Sequence, residues 1–277
     1  MHFNRQKIPK KSRLKINPNV SPAKKRKPLA KKEDITPIPR VRKRRRAEHK
    51  KLKIDIRSYT KEKPSNYKPL KEWGYYLSGH PVFIMGNGPS ITKHNLKPLK
   101  KYFTIGVNRI FYIYDPTILL WQDKQIWTKN KEDILKTKAI KICRSAADPQ
   151  NRFIHFTLKM GGFRLPQDPS RLYGTGNSGA LAIELAVALG CSSIVLLGTD
   201  CKYEGKKTDF YGKNIDHKSY TLKMCKNAMK WVKDNCPVPI YNCSSNPLWD
   251  ERKLEDVIEE LNPPKLNREF FIDVFRK

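Results

Sequence analysis

With 277 residues, a hydrophobic fraction of 38% and a formal charge of +31, the chain carries more positive charge than solubility requires and too little apolar sequence to be globular throughout. Its six cysteines form no CxxC pair, and no run approaches the roughly 18 apolar residues of a membrane-spanning helix, which argues against a disulfide scaffold, a zinc ribbon and a helical membrane protein. The basic N-terminus has no apolar stretch behind it, so the expectation is a reduced protein that is not secreted, cytoplasmic or, in a eukaryotic host, nuclear.

The charge is unevenly spread. Residues 1–58 hold 22 Lys and Arg against 4 Asp and Glu, a net of +18, which leaves +13 for residues 59–277. One cluster comprises Lys24, Lys25, Arg26 and Lys27, another Arg42, Lys43, Arg44, Arg45 and Arg46, with prolines interspersed. Such a segment buries too little apolar surface to offset its chain entropy, and a disordered arm is expected. Dense cations laid along phosphates release counterions, which makes nucleic acid the expected partner, bound without reading its sequence.

The folded domain is expected over residues 59–277. Aromatic residues between 67 and 77 read as a docking segment ahead of the first strand. Residues 82–85 are a short continuous apolar run, the pattern of a central strand covered on both faces of a parallel sheet. Gly86, Asn87, Gly88, Pro89 and Ser90 follow. The glycines allow positive φ and a close main-chain approach, and Ser90 reads as a cap for a helical turn whose free N–H groups attract phosphate.

Residues 103–110 alternate towards a second strand expected to end at Asn108, and a third is expected over 118–121, closed by Gln122 and Asp123. The carboxyl end of a strand is where open α/β sheets present their chemistry. A helix over 126–135 and a fourth strand over 139–143 follow. Residues 144–173 show no sustained pattern and read as a substrate loop or lid, with a short hairpin as the alternative.

In residues 174–200, Asn177 or Ser178 caps a helix over 180–189 that is apolar on more than one side and belongs inside the protein. Gly190 stops it, and a strand over 194–197 leads to Gly198, Thr199 and Asp200. A polar loop to His217, a helix over 219–235, a last strand over 238–241, an amphipathic helix over 253–261 and a docking tail complete the chain. The alternation of strands and helices implies α/β class: a single Rossmann-like domain with a mostly parallel sheet behind a disordered basic arm.

GNGPS (86–90), VNRIF (107–111), NSGALAIELAVALG (177–190) and IVLLGTD (194–200) together resemble, in order and approximate spacing, the family 42 sialyltransferases and the related MptE-like group that includes archaeal 6-hydroxymethylpterin diphosphokinases. The resemblance covers residues 82–241. It implies a nucleotide-sugar donor, CMP- or UDP-linked, contacted by Asn87, Gly88, Asn108, Ser178 and Gly179, with Gly86, Pro89, Ser90, Asn177 and Asp200 in the same stretches. It also implies a histidine base after the last motif, which corresponds by position to His217 in NIDHKSY.

Glycosyl transfer needs a base near neutral pKa and stabilisation of the leaving phosphate, for which Tyr203 and Tyr211 are candidates. Asp123 is the second catalytic candidate. With Asp200 it offers an alternative chemistry, in which carboxylates at neighbouring strand ends hold Mg²⁺ against a diphosphate. No DxD pair occurs in the folded part.

Domain and arm together point to a glycosyltransferase-like enzyme acting on nucleic acid, such as the hydroxylated bases of modified phage DNA, with residues 144–173 admitting an extruded base. The alternatives are a Mg²⁺-dependent diphosphokinase and a nucleic-acid-binding protein whose Rossmann-like domain is not catalytic.

Overall fold

The computed structural model describes residues 67–159, 164, 166–174, 176–212 and 219–275. The basic arm with its two clusters, the domain boundary at residue 59, and His217 lie outside the described residues.

Among the described residues one sheet runs through β1 (Pro81–Met85), β2 (Thr104–Val107), β3 (Ile118–Trp121), β4 (Ile140–Arg144), β5 (Ile154–Leu158), β6 (Arg171–Leu172), β7 (Ser193–Leu197) and β8 (Ile240–Asn242). Its order is β6-β5-β4-β3-β2-β1-β7-β8, and every pairing is parallel. The helices are α1 (Lys124–Lys136), α2 (Ser178–Ala188), α3 (Ser219–Asn235), α4 (Leu254–Leu261) and α5 (Arg268–Phe275).

The apolar runs are continuous because both faces of the sheet are covered. Val82 and Ile84 join a core with residues of α2, α3 and α5, while Phe83 and Met85 pack with residues of α1 and α4 on the other side. Ten of the eleven residues of α2 are buried, and its small residues Gly179, Ala180, Ala182 and Ala186 suit close contact with β1, β2 and β3. Gly190, at φ +81°, ends this segment against Tyr75, where a β-carbon would meet backbone at 3.0 Å. The segment before β1 and the C-terminal helix hold each other: Trp73 stacks on Phe275 at 3.8 Å, and both are fully buried.

Residues 144–173 differ from the expected loop or lid. They contain β5 and β6, which extend the sheet, and β6 runs parallel to β5, so they are not a hairpin. The alternation Ile154, Phe156, Leu158 against His155 and Thr157 is the strand signal in this stretch; it is short because β5 lies near the sheet edge, with one side only partly covered.

The strand order creates the feature on which function turns. The chain lays down β1 to β6 outward in one direction and then returns through α2 to place β7 on the opposite flank of β1. Connections therefore leave the carboxyl ends of β1 and β7 on either side of a switch point, where open α/β sheets form their ligand crevice.

Candidate functional site

A cavity of about 730 Å³ opens at that switch point. Its walls come from the carboxyl ends of β1, β2, β3 and β7, the N-terminus of α2, a turn around Asp209, and α3. Of the residues expected from sequence, Gly86, Asn87, Gly88, Asn108, Asp123, Asn177, Ser178, Gly179 and Asp200 all line it. Pro89 and Ser90 are buried behind the wall instead.

Ser90 is not a cap. Gly88 occupies the N-cap position of the five-residue 3₁₀ turn Pro89–Lys93, and no side chain caps it. The Ser90 N–H, expected to be free for phosphate, donates to Asp200 Oδ2 at 2.9 Å, and the Ser90 hydroxyl donates to Asp200 Oδ1. Asp200 is only 2% exposed, so its carboxylate serves as the clasp between the turns after β1 and β7.

The glycines of the first turn are needed for the same contact. Neither adopts positive φ. A β-carbon on Gly86 would lie 2.2 Å from the Gly198 carbonyl oxygen, and one on Gly88 would lie 2.5 Å from Asp200 Cγ. The close approach expected toward a ligand is made first to the protein's own β7 turn, in which Gly198 takes φ +59°.

Side-chain amides and one hydroxyl line the strand ends. Asn87 ties β1 to β2, donating from Nδ2 to the Val107 carbonyl at 2.7 Å and accepting the Arg109 N–H at 3.0 Å. Asn108 sits in the left-handed region at φ +51°. Gln122 Nε2 donates to Ser178 Oγ at 3.2 Å, and that hydroxyl donates to Asn108 Oδ1 at 3.3 Å. Asn177 Oδ1 caps α2 by accepting the N–H groups of Gly179 and Ala180 at 2.8 and 3.3 Å. Groups that both donate and accept, fixed by one another, suit recognition of hydroxyls and base edges.

Sequence reasoning missed two features of the wall. Arg109, quoted only as part of VNRIF, projects its guanidinium over the Tyr211 ring, 5.1 Å from its centre. Its Nε is buried with no protein acceptor among the described residues. Asp209, 3% exposed, accepts the Thr208 hydroxyl at 2.9 Å. The next residue's N–H donates to the Asn87 carbonyl at 2.7 Å, which docks this turn on the first one. The signal available in sequence was a charged residue directly following a buried strand and an asparagine. Of the two tyrosine candidates, Tyr211 lines the cavity; burial, then the charge of Asp209, push its hydroxyl pKa up, partly offset by Arg109. Tyr203 is 42% exposed and is not part of the cavity wall.

Three sequence expectations are corrected here. Asp123 and Asp200 are not at neighbouring strand ends: β2 and β1 lie between β3 and β7, so the strands they leave are about 14 Å apart. A single Mg²⁺, which binds oxygens at about 2.1 Å, cannot take both directly, and both Asp200 oxygens already serve Ser90. Nor do the described residues of 144–173 supply a base-admitting wall, since none of them lines the cavity.

Glu184, 2% exposed, lies inside α2 and accepts the N–H groups of Tyr173 and Gly174 at 2.6 and 3.2 Å, holding the segment that enters the site. Burial pushes its carboxyl up to about 7 despite those two bonds. Away from the cavity, Cys143, Asp148 and His155 cluster between β4 and β5. Asp148 there accepts the Arg152 side chain at 2.9 and 3.0 Å and the Phe153 N–H at 3.0 Å, an ion-pair network whose carboxylate is already saturated. All six cysteines are unpaired, and among the described residues no helix is long and apolar enough to cross a membrane.

No protein-family model and no curated protein matches the chain. Among solved structures it is similar to the sialyltransferase CstII from Campylobacter jejuni in complex with cytidine-5'-monophosphate, at 14% identity over 61% of this chain and 82% of that one, with a TM-score of 0.39. It is also similar to the MAf glycosyltransferase from Magnetospirillum magneticum AMB-1, at 16% identity and a TM-score of 0.45 over 76% of this chain; the match spans 38% of that protein. The monofunctional alpha-2,3-sialyltransferase Cst-I from Campylobacter jejuni matches at 16% identity over 64% of this chain and 78% of that one, with a TM-score of 0.38.

Proposed function

We propose that the domain is a glycosyltransferase that takes a nucleotide sugar in the switch-point cavity and transfers the sugar to a hydroxyl of its acceptor. The observation that carries this reading is the position and lining of the cavity: about 730 Å³ at the carboxyl ends of β1, β2, β3 and β7, walled by mutually bonded Asn, Gln and Ser side chains. That volume is within the range of sites for drug-sized ligands, and the wall offers both donors and acceptors to a base and a sugar.

In the transfer, the bond from the anomeric carbon to the donor phosphate breaks with its electron pair leaving on the phosphate oxygen. A new bond forms from the acceptor hydroxyl, whose proton passes to a base. His217 is proposed as that base because a neutral imidazole is suited to it near pH 7; the cavity-lining residues Tyr211 and Thr221 flank its stretch of chain. Asp123, exposed and part of the cavity lining, is proposed to hold the acceptor. Residues 1–58, at a net +18, are proposed as an arm that keeps the enzyme on nucleic acid, so that acceptor hydroxyls meet it at raised local concentration.

Thermal unfolding of the full chain against CMP, UDP, GDP, their sugar conjugates and the nucleoside triphosphates, with and without Mg²⁺, tests the donor half of this reading. A metal-independent rise with one nucleotide sugar, reduced by Ser178→Ala, is expected. Stabilisation only by a nucleoside triphosphate with Mg²⁺ would replace glycosyl transfer by diphosphate transfer, and no stabilisation by any of them would remove the enzyme reading.

A further inference from the structure

Arg109 enters the cavity immediately after β2, and its attachment is unusually firm for an arginine next to open space. Its N–H is bound by Asn87 Oδ1 at 3.0 Å, and the same side chain grips the Val107 carbonyl at 2.7 Å. Farther out, the guanidinium lies over Tyr211, 5.1 Å from the ring centre. A guanidinium stacked by its face keeps its edges for hydrogen bonding.

Nε itself is unspent, while the guanidinium also hydrogen-bonds the Tyr211 hydroxyl. Nε is buried and meets no protein acceptor among the described residues, and none of the ion pairs these residues form involves Arg109. A buried donor left without an acceptor is costly, and Nε with one terminal nitrogen forms the side-on fork that matches two oxygens of a phosphate. The buried carboxylates of the same cavity are engaged elsewhere: Asp200 by Ser90, and Asp209 by Thr208. Arg109 is thus a fixed cation with an unpartnered Nε, set at the end of the strand beside β1, in a cavity whose lining also includes Lys124 and the carboxylates of Asp123, Asp200 and Asp209.

We infer that Arg109 binds the phosphate of the donor nucleotide through its Nε edge, with Tyr211 holding the plane of the guanidinium. This rests on the nucleotide reading of the cavity and adds to it the group that recognises the anion.

Calorimetric titration of the full chain with cytidine, uridine, adenosine and guanosine, each against its 5'-monophosphate and diphosphate, tests the assignment. At least one nucleotide is expected to bind more tightly than its own nucleoside. Arg109→Gln is expected to reduce that advantage about 10- to 100-fold, as the loss of a charge-assisted fork does, and to leave nucleoside affinity near its original value. Arg109→Lys, which keeps the charge without the planar fork, is expected to retain part of the advantage and carries the test if Arg109→Gln does not fold. The basic residues 1–58 are common to all three proteins, so any phosphate they attract cancels in the comparison.

If the nucleotide binds and the phosphate advantage survives both substitutions, the role of Arg109 is overturned while the nucleotide site stands. If no nucleoside or nucleotide binds the unsubstituted protein, both readings fall.

Discussion

Both carboxylate oxygens of Asp200 are taken by Ser90, one by its N–H at 2.9 Å and the other by its hydroxyl, across 110 positions of sequence. The pair joins the two turns that face each other across the switch point, so the cavity's geometry depends on this carboxylate. Asp200→Ala leaves two buried donors unsatisfied and is expected to cost about 3 kcal/mol in chemical denaturation. Asp200→Asn keeps one acceptor and is expected to cost less. Because the carboxylate is committed to Ser90, nucleotide affinity measured in excess chelator is expected to equal that in Mg²⁺; a strict Mg²⁺ requirement would return Asp200 to a ligand role.

Gly86 and Gly74 make a matched contrast. A β-carbon on Gly86 would meet the Gly198 carbonyl oxygen at 2.2 Å, whereas one on Gly74 meets nothing within 4 Å, and Gly74 has an ordinary φ of −54°. Gly86→Ala forces the β1 and β7 turns apart and is expected to destabilise by about 2 kcal/mol or more. Gly74→Ala is expected to stay within about 1 kcal/mol of the original and to lie on the stabilising side. Equal effects in urea denaturation would show that the two turns are not in contact.

Glu184 supplies the pH dependence. Its carboxyl rises from an ordinary 4.5 to about 7 because α2 buries it, with the Tyr173 and Gly174 N–H groups opposing that rise. The folded protein therefore holds this proton more tightly than the unfolded chain does. The contribution of the group to stability is greatest below about pH 4.5 and is lost progressively up to about pH 7, a change of about 3 kcal/mol. Glu184→Gln does not titrate, so its stability relative to the original protein is expected to rise with pH across that window and level off above it. Parallel stability curves from pH 4.5 to 8 would mean that Glu184 is not buried as described.

How far the sequence reached is clear from particular residues. The runs at 82–85, 118–121 and 194–197 were legible because a parallel strand buried on both faces leaves no polar alternation, and α2 because its apolar residues encircle it. Strand β5, next to the edge strand β6, was overlooked because its alternation is only five residues long and sits among prolines and glycines. Strand order was the larger loss. Nothing in the local pattern says that the chain returns to lay β7 beside β1, and without that the separation of Asp123 from Asp200 and the pairing of Asp200 with Ser90 could not be read. Asn87, Asn108 and Ser178, named from their motifs, line the cavity; Arg109 was passed over because its unpartnered Nε is visible only in the packing around it.

Release of nucleotide from a nucleotide sugar tests the central claim most directly, since water can replace an unidentified acceptor. The full chain, in excess chelator, would be incubated with CMP-, UDP- and GDP-linked sugars, and free nucleotide and free sugar quantified together. One donor is expected to yield both in equal amounts, at a rate that falls at least about tenfold in Ser178→Ala. Donors that remain intact throughout, or a release rate unchanged by Ser178→Ala, would contradict glycosyl transfer at the switch-point cavity.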